Sequence, residues 1–180
     1  MKKYFILFVL LVCMMQMPVF ASDAEMIKEV TREDVLIEAE KFIGHIPYRY
    51  GSRTTETKYE KGMKLDCSAF VSFVLARTFE EEEVSHLTTA SLCSHYNLKQ
   101  ISEDELQIGD IGLRFREGAE NNHIGIYAGK DHDGNNLWVH CNSFKGNVTL
   151  DKANNDINVF YSIDNALAYV YLENSEQMIL

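Results

Sequence analysis

The segment "KLDCSAFVSF", residues 64–73, places an acid, a thiol and a hydroxyl directly before an apolar run. Asp66 is suited to cap a helix that begins at Cys67, and Ser68 falls in the first turn of that helix. A thiol at a helix start faces unpaired backbone N–H groups and the positive end of the helix dipole, and cysteines become reactive in that setting. The spacing therefore predicts that Cys67 is a nucleophile.

A cysteine nucleophile needs a base, and the base needs a third group that orients its ring. The six histidines of the chain are the candidates for the base. Four of them lie in polar segments and are interpreted as surface groups: His45, His86, His95 and His132. His123 in "HIGIYAG" and His140 in "LWVHCN" lie on predicted strands instead, with the turn pair Asp133-Gly134 between them. These two histidines are the predicted base and orienting group.

Strand periodicity decides which face of the sheet each histidine occupies. Alternation places His123 opposite Ile124, whose side of the strand faces the bulk core, and it places His140 opposite Cys141. If the two strands pair across the turn, both histidines lie on the face against which the Cys67 helix packs. That arrangement would bring the thiol, the base and the orienting group together.

The order of the predicted elements indicates the fold class. Residues 31–44 predict an amphipathic helix, the run from Cys67 to about Phe79 a buried central helix, and residues 87–97 a weaker helix. Residues 53–64 between them predict a polar surface loop. Short β-rich segments follow, separated by turns: "DIGLRF", "HIGIYAG", "LWVHCNSF", "NVTLDKA" and "LAYVYLE". The prediction is an α+β fold with the helices packed on one face of a central antiparallel sheet.

The N-terminus has the pattern of an export signal. A basic pair is followed by an apolar run and by the ending "VFA" at residue 21, and the run is shorter than the ~20 residues of a membrane span. The prediction is a signal peptide over residues 1–21, cleaved after Ala21, and one domain over residues 22–180. The protein would then be secreted or periplasmic, without stable membrane insertion. A lipoprotein processed at Cys13 is the lesser alternative.

Net charge limits the partners of the mature domain. Without Lys2 and Lys3, the 17 basic residues become 15 against 27 acidic ones, a formal net charge of −12. This balance argues against nucleic acid or an anionic membrane surface as the main partner. The sequence contains neither C-x-x-C nor H-E-x-x-H, so no metal and no other cofactor are expected.

The mature chain would hold three cysteines: Cys67, Cys93 and Cys141. In an exported protein an odd number leaves at least one thiol unpaired or implies pairing between chains. Cys93 and Cys141 are interpreted as small packing residues. A disulfide between these two would leave Cys67 free, and the sequence leaves that pairing open.

Five segments together resemble a known family. In order and spacing, "YRYGS", "DCSAFVSF", "LQIGDIGLRF", "HIGIYAG" and "LWVHCNS" resemble the NlpC/P60 cysteine peptidases of bacterial cell walls, from about Thr31 to Val170. The resemblance implies a papain-like catalytic domain. It also implies that Cys67 is the nucleophile, that His123 is the base and that His140 orients His123.

Further positions match the family's substrate cleft. Tyr48 matches a tyrosine beside the nucleophile, where its hydroxyl and the Cys67 backbone N–H would stabilise an oxyanion. Asp66 and Ser68 match positions that line the cleft, and both also suit the start of a helix. The loop 53–64 is longer than the family pattern, which affects substrate preference. Three single-residue departures do not touch the chemistry: Ser52, Ala69 and Gly112.

The resemblance implies hydrolysis of the γ-D-glutamyl-diaminopimelyl bond in peptidoglycan stem peptides, through a thioester, by a protein expected to be monomeric. The strongly acidic domain should favour short muropeptides over long anionic wall polymers, because like charges repel on approach. Two alternatives stay open. One is an acyltransferase or amidase of the same fold that acts on a non-wall substrate, and the other is a secreted binding domain without turnover.

Overall fold

The computed structural model describes residues 29–117 and 122–168. Three helices precede most of the sheet: α1 (Arg32–Glu40), α2 (Cys67–Thr78) and α3 (Thr89–His95). Six strands form the sheet: β1 (Lys99–Ile101), β2 (Ile111–Arg114), β3 (His123–Lys130), β4 (Asn136–Asn142), β5 (Asn147–Asp151) and β6 (Val159–Ser162). The strand order is β1-β6-β2-β3-β4-β5, and every neighbouring pair is antiparallel. The predicted α+β fold is confirmed.

Helix α1 begins at the predicted place. The Thr31 hydroxyl accepts a hydrogen bond from the Asp34 N–H at 3.2 Å, and the Asp34 carboxylate accepts one from the Thr31 N–H at 2.9 Å. This reciprocal capping box satisfies two of the helix's unpaired donors. The helix ends at Glu40, earlier than predicted, and the chain then turns through Gly44 with φ of 78°.

Helix α2 is the central buried helix that its composition predicts. The Asp66 carboxylate accepts a hydrogen bond from the Ala69 N–H at 2.8 Å, so Cys67 is the first helical residue. Every residue from Cys67 to Ala76 is buried. Because the helix is covered on all sides, its start is held in one position by the surrounding core.

The helices cover one face of the sheet, and this face is not the one predicted. The core of α2 packs in one cluster with Ile124 and Val139, whereas Tyr127 and Trp138 belong to a separate cluster on the other face. His123 alternates in step with Tyr127, so it points away from α2. The prediction that the histidines lie on the helix-covered face is wrong. The aliphatic residues Ile124, Ile126 and Val139 occupy that face, where they meet the apolar surface of α2.

Two strands were not predicted from the sequence, and one predicted strand begins at residues that are helical. Strands β1 and β6 pair with each other at one edge of the sheet. The segment "LAYVYLE" at 167–173 was predicted as a strand, but residues 164–168 are helical. The rest of that segment lies outside the described residues.

Strand β2 contains a glycine because a large ring covers it. A Cβ atom at Gly112 would lie 2.3 Å from the Trp138 ring and 2.6 Å from Ile157. Trp138 is 2% exposed and packs in the cluster with Phe160 on the face away from the helices. The departure from the family pattern at Gly112 therefore has a packing reason.

A half-buried arginine joins α1 to the sheet. The Arg32 guanidinium contacts the carboxylate of Asp110, which is fully buried, and also that of Asp164. It donates to the Ser162 hydroxyl at 2.9 Å, and Asp110 accepts a further hydrogen bond from the Ile163 N–H at 3.2 Å. This network joins α1, the approach to β2 and the end of β6.

Within the described ranges, no helix has the length and apolar character needed to cross a bilayer. The predicted signal peptide over residues 1–21 lies outside the described residues.

Candidate active site

A cleft of about 670 Å³ opens beside the start of α2. Five of the six predicted site residues line it: Tyr48, Asp66, Cys67, Ser68 and His123. The sixth, His140, lines a smaller adjoining pocket together with His123. The structure thus gathers the predicted site residues at one end of the sheet.

Cys67 and His123 can share the cleft although α2 packs on the other face of the sheet. Cys67 is the first residue of α2, and His123 is the first residue of β3. The backbone N–H of Ile124, the residue after His123, acts to lower the pKa of the Cys67 thiol, as do the N–H groups of Ser68 and of Cys67 itself. The sulfur therefore sits at the end of β3, where a side chain from the opposite face can approach it.

The two histidine rings are in direct contact. His123 Nε2 lies 2.5 Å from His140 Nδ1, and the ring centroids are 4.8 Å apart. His140 is 1% exposed, and its Nε2 lies 2.9 Å from Asp151 Oδ1. Because His140 occupies His123 Nε2, the nitrogen of His123 that remains for the cleft is Nδ1. The geometry that the orienting role of His140 requires is present.

Asp151 was missed by the sequence analysis, although a signal for it exists. Strand β5 pairs with β4 so that Thr149 lies opposite His140 and Asp151 opposite Trp138. Alternation in "NVTLD" puts Thr149 and Asp151 on the same face as His140. Extending the two-residue period from β4 into the next predicted strand would have identified this carboxylate.

The environment keeps both the thiol and the imidazole neutral. The pKa of Cys67 is raised to about 11, chiefly by burial and then by the Asp66 carboxylate, whereas nearby backbone N–H groups act to lower it. The pKa of His123 is lowered to about 3, chiefly by burial and then by His140 and Arg114, whereas the Asp151 carboxylate acts to raise it. At neutral pH Cys67 is therefore a thiol and His123 an unprotonated imidazole, which suits general base catalysis.

We expect alkylation of Cys67 by iodoacetamide to be slow at pH 7 and its rate to rise with pH towards a midpoint at pH about 11. Only the thiolate reacts, and an ordinary cysteine thiol titrates near about 8.5. Peptide mapping by mass spectrometry, with a free cysteine peptide as reference, would give the rate for Cys67 alone. Rapid alkylation between about pH 5 and pH 7 would contradict the neutral pair, because it is the behaviour of a thiolate paired with an imidazolium.

Tyr48 and Asp66 combine structural and cleft positions. Burial, then the nearby Cys67 and Asp66, raises the pKa of Tyr48 to about 12, so its hydroxyl stays a hydrogen-bond donor. The Asp66 carboxylate caps α2 and accepts from the Ser68 hydroxyl at 3.0 Å while still lining the cleft. Helix capping and cleft lining therefore coincide in this residue.

Two arginines that the sequence analysis did not single out also line the cleft: Arg53 and Arg114. Arg53 belongs to the long loop, donates to the Leu87 carbonyl oxygen and lies 3.6 Å from the Asp66 carboxylate. Arg114 lies directly opposite His123 in the pairing of β2 with β3. In a strongly acidic protein, these cations make the cleft suitable for a substrate that carries carboxylates.

The remaining cysteines pack as small residues. Cys141 is fully buried, and its thiol donates to the Leu65 carbonyl oxygen at 3.3 Å. Cys93 is buried on α3, and neither of them is bonded to another cysteine in the described part of the chain. Residues 29–117 and 122–168 contain no group of three or more histidine, cysteine or acidic residues arranged to hold a metal ion.

The fold and the cleft define a class: a small α+β domain in which a cysteine is the first residue of a buried helix and shares a cleft with a histidine of the sheet. Residues 44–161 match the NlpC/P60 family, and the chain belongs to this family. The resemblance found in the sequence is thereby confirmed. NlpC/P60 proteins are generally cysteine peptidases or amidases that act on peptidoglycan, so membership supports a cell-wall hydrolase.

One solved structure agrees on the fold. The NlpC/P60 domain of the peptidoglycan hydrolase SagA has a TM-score of 0.54 at 19% identity, covering 74% of this chain and 99% of that domain. A protein described as similar to lipoprotein, of the NLP/P60 family, from Staphylococcus aureus has a TM-score of 0.49 at 16% identity. That match covers 73% of this chain and 41% of the other. A comparison with curated proteins returned no match.

Proposed function

We propose that this protein is a cysteine endopeptidase that hydrolyses the γ-D-glutamyl-diaminopimelyl bond of peptidoglycan stem peptides. Cys67 is the nucleophile, His123 the general base and His140 the residue that orients His123. The observation that carries the proposal is the shared cleft of Cys67 and His123, with His123 Nε2 held 2.5 Å from His140 Nδ1. Family membership supports the reaction class.

The reaction would proceed in two steps. His123 Nδ1 takes the Cys67 proton as the sulfur attacks the amide carbonyl carbon, and the same proton then passes to the departing amine, leaving a thioester. In the second step His123 takes a proton from water, the hydroxide attacks the thioester, and the proton returns to the sulfur. The raised pKa of Cys67 and the lowered pKa of His123 support a proton transfer that accompanies the attack, because both groups are neutral before it.

The oxyanion that forms at the carbonyl would be held by donors at the start of α2. The Cys67 backbone N–H and the Tyr48 hydroxyl are the proposed donors. The Tyr48 hydroxyl keeps its proton because burial raises its pKa. Both groups belong to the cleft wall, so they need no reorganisation when charge develops.

The charge of the cleft supports a stem peptide as the substrate. Stem peptides carry free carboxylates next to the bond in question, and Arg53 and Arg114 supply cations on the cleft wall. A guanidinium binds a carboxylate through two parallel hydrogen bonds. Asp66 in the same wall offers a negative group to a substrate amine.

Mass spectrometry of the products from a set of defined muropeptides tests this proposal. The expected products are the fragments that end at D-glutamate and begin at diaminopimelate. Adding an amine acceptor to the same reaction tests the acyltransferase alternative, since transfer would produce an amide in excess of the free acid. Cleavage at another bond, transfer in excess of hydrolysis, or no turnover of any muropeptide would refute the proposal.

The acidity of the protein gives an expectation about substrate size. We expect free tripeptide to be cleaved faster than intact sacculi at low ionic strength, because the domain and the wall polymers carry like charges. Salt screens such repulsion, so the difference should shrink as salt is added. Faster cleavage of sacculi at low ionic strength would contradict this expectation.

Export and a monomeric state complete the proposal. A secreted or periplasmic location follows if residues 1–21 are removed as a signal peptide. N-terminal sequencing of the exported protein should then begin at Ser22, and sedimentation should give the mass of one chain. A retained N-terminus or a dimer would contradict these two points.

A further inference from the structure

We propose that Asp151 is a positioning residue that sets the tautomers of both histidines and so keeps the lone pair of His123 Nδ1 available for the Cys67 proton. The proposal rests on the function proposed above, and it adds a fourth member to the arrangement of Cys67, His123 and His140. Asp151 is not among the residues lining the cleft, so it acts through His140 rather than on the substrate.

The tautomers follow from the hydrogen-bond partners. An ionised carboxylate can only accept, so the 2.9 Å contact with Asp151 Oδ1 requires a proton on His140 Nε2. A neutral imidazole carries one N–H, which makes His140 Nδ1 an acceptor. The 2.5 Å contact with His123 then requires a proton on His123 Nε2. His123 Nδ1 is left with its lone pair, as a general base needs.

The Asp151 carboxylate is itself held in place. Its Oδ1 accepts from the Ala153 N–H at 2.7 Å, and its Oδ2 accepts from the Thr149 hydroxyl at 3.0 Å and from the Asn142 amide at 3.3 Å. Burial raises the pKa of Asp151, but the hydrogen bonds from Ala153, His140 and Thr149 outweigh it and hold the pKa below its ordinary value. The group is therefore ionised and oriented at neutral pH.

The Asp151 carboxylate also acts on the charge of His123. Arg114 of β2 lowers the pKa of His123, Asp151 of β5 raises it, and the Cys67 thiol of α2 is neutral. Asp156 lies beyond Arg114, 3.5 Å from its guanidinium. When His123 accepts a proton during the reaction, the negative charge of Asp151 stabilises the imidazolium through His140 and offsets Arg114.

Three variants separate positioning from a structural role. Asp151→Ala removes the acceptor and the charge, and Asp151→Asn keeps an oxygen that can accept from His140 Nε2 but removes the charge. Thr149→Val removes one hydrogen bond to the same carboxylate and leaves the His140 contact in place. The last variant is the matched control for local stability.

The kinetic expectation follows from these differences. Asp151→Ala should lower kcat about 100-fold, at the lower end of what general base catalysis contributes, with KM within about twofold of wild type. Asp151→Asn should recover about 10-fold of that loss. The Ala153 N–H donates to the Oδ1 position at 2.7 Å, so it holds the amide oxygen towards His140 Nε2 and the tautomer is retained. Thr149→Val should stay within about twofold of wild type in both parameters. Equal kcat in Asp151→Ala and Thr149→Val, with both folded, would overturn the proposal.

A measurement without substrate keeps this proposal separate from the proposed function. In ¹⁵N-histidine-labelled protein, long-range ¹H–¹⁵N spectra identify which ring nitrogen carries the proton. Wild type should show His123 and His140 protonated at Nε2, and Asp151→Ala should show a mixture of tautomers at His140. If wild type shows His140 protonated at Nδ1, or Asp151→Ala leaves the tautomers unchanged, the positioning role is wrong even if muropeptides are cleaved. The expected spectra in a protein that cleaves no muropeptide would refute only the proposed function.

Discussion

Replacing Cys67 with alanine is expected to lower kcat/KM for a defined muropeptide by at least about 1,000-fold, because no other group can form the thioester. Folding should be unchanged, since alanine fits the first turn of α2 and the Asp66 cap does not depend on the sulfur. Initial rates from product chromatography, with circular dichroism as the check on folding, give the result.

Cys93→Ala is the matched control for this prediction. Cys93 is also a buried thiol in a helix, but it lies on α3 and does not line the cleft. The variant should retain wild-type kcat/KM within about twofold. A Cys67→Ala protein that cleaves as fast as wild type would show that the nucleophile is assigned wrongly.

The largest expected effect on stability comes from Asp110→Ala. The substitution leaves the Arg32 guanidinium, whose side chain is 13% exposed, without its fully buried partner. It also removes the acceptor of the Ile163 N–H. Breaking a buried ion pair from one side costs about 3 to 5 kcal/mol, and the remaining contact of Arg32 with Asp164 favours the lower value. Urea denaturation followed by tryptophan fluorescence measures the change in the free energy of unfolding.

Asp133→Ala is the control for the stability measurement. Its carboxylate lies 3.2 Å from the His132 ring, the two side chains are 61% and 90% exposed, and solvent screens such a contact. Its loss should change the free energy of unfolding by less than about 0.5 kcal/mol. A cost below about 1 kcal/mol for Asp110→Ala would contradict a stabilising role of the Arg32 network.

Local signals in the sequence were sufficient for the start of α2. Asp66, Cys67 and Ser68 are consecutive, and capping depends on the next three backbone N–H groups alone. The β3–β4 hairpin was equally accessible, because Gly134 takes the φ of 83° that the turn requires. Both features involve residues close together in the chain, and the structure agrees with the predictions.

Predictions that needed long-range information were less successful. Strand periodicity separates His123 from Ile124, but it does not say which of the two faces α2 covers, and the predicted face is wrong. Strand β6 lies between β1 and β2, so its pairing partners are far away in the sequence. Such pairings are decided by the packing of the whole sheet and not by the four residues of β6.

The cleft shows the same division between local and long-range information. Tyr48 and the residues at the start of α2 were found through short motifs. Arg53 was hidden in a polar loop without periodicity, and Arg114 enters the cleft only because β2 pairs with β3. Asp151 had a usable signal in the alternation of β5, but its role depends on a contact with His140, eleven residues away.

The central claim is that the Cys67 thiol performs the reaction. The most direct measurement is partial alkylation of the wild-type protein, with residual muropeptide hydrolysis and the modified fraction of each cysteine determined on the same samples. Activity is predicted to fall one for one with modification of Cys67 and not to follow Cys93 or Cys141. Full modification of Cys67 with activity retained would contradict the claim.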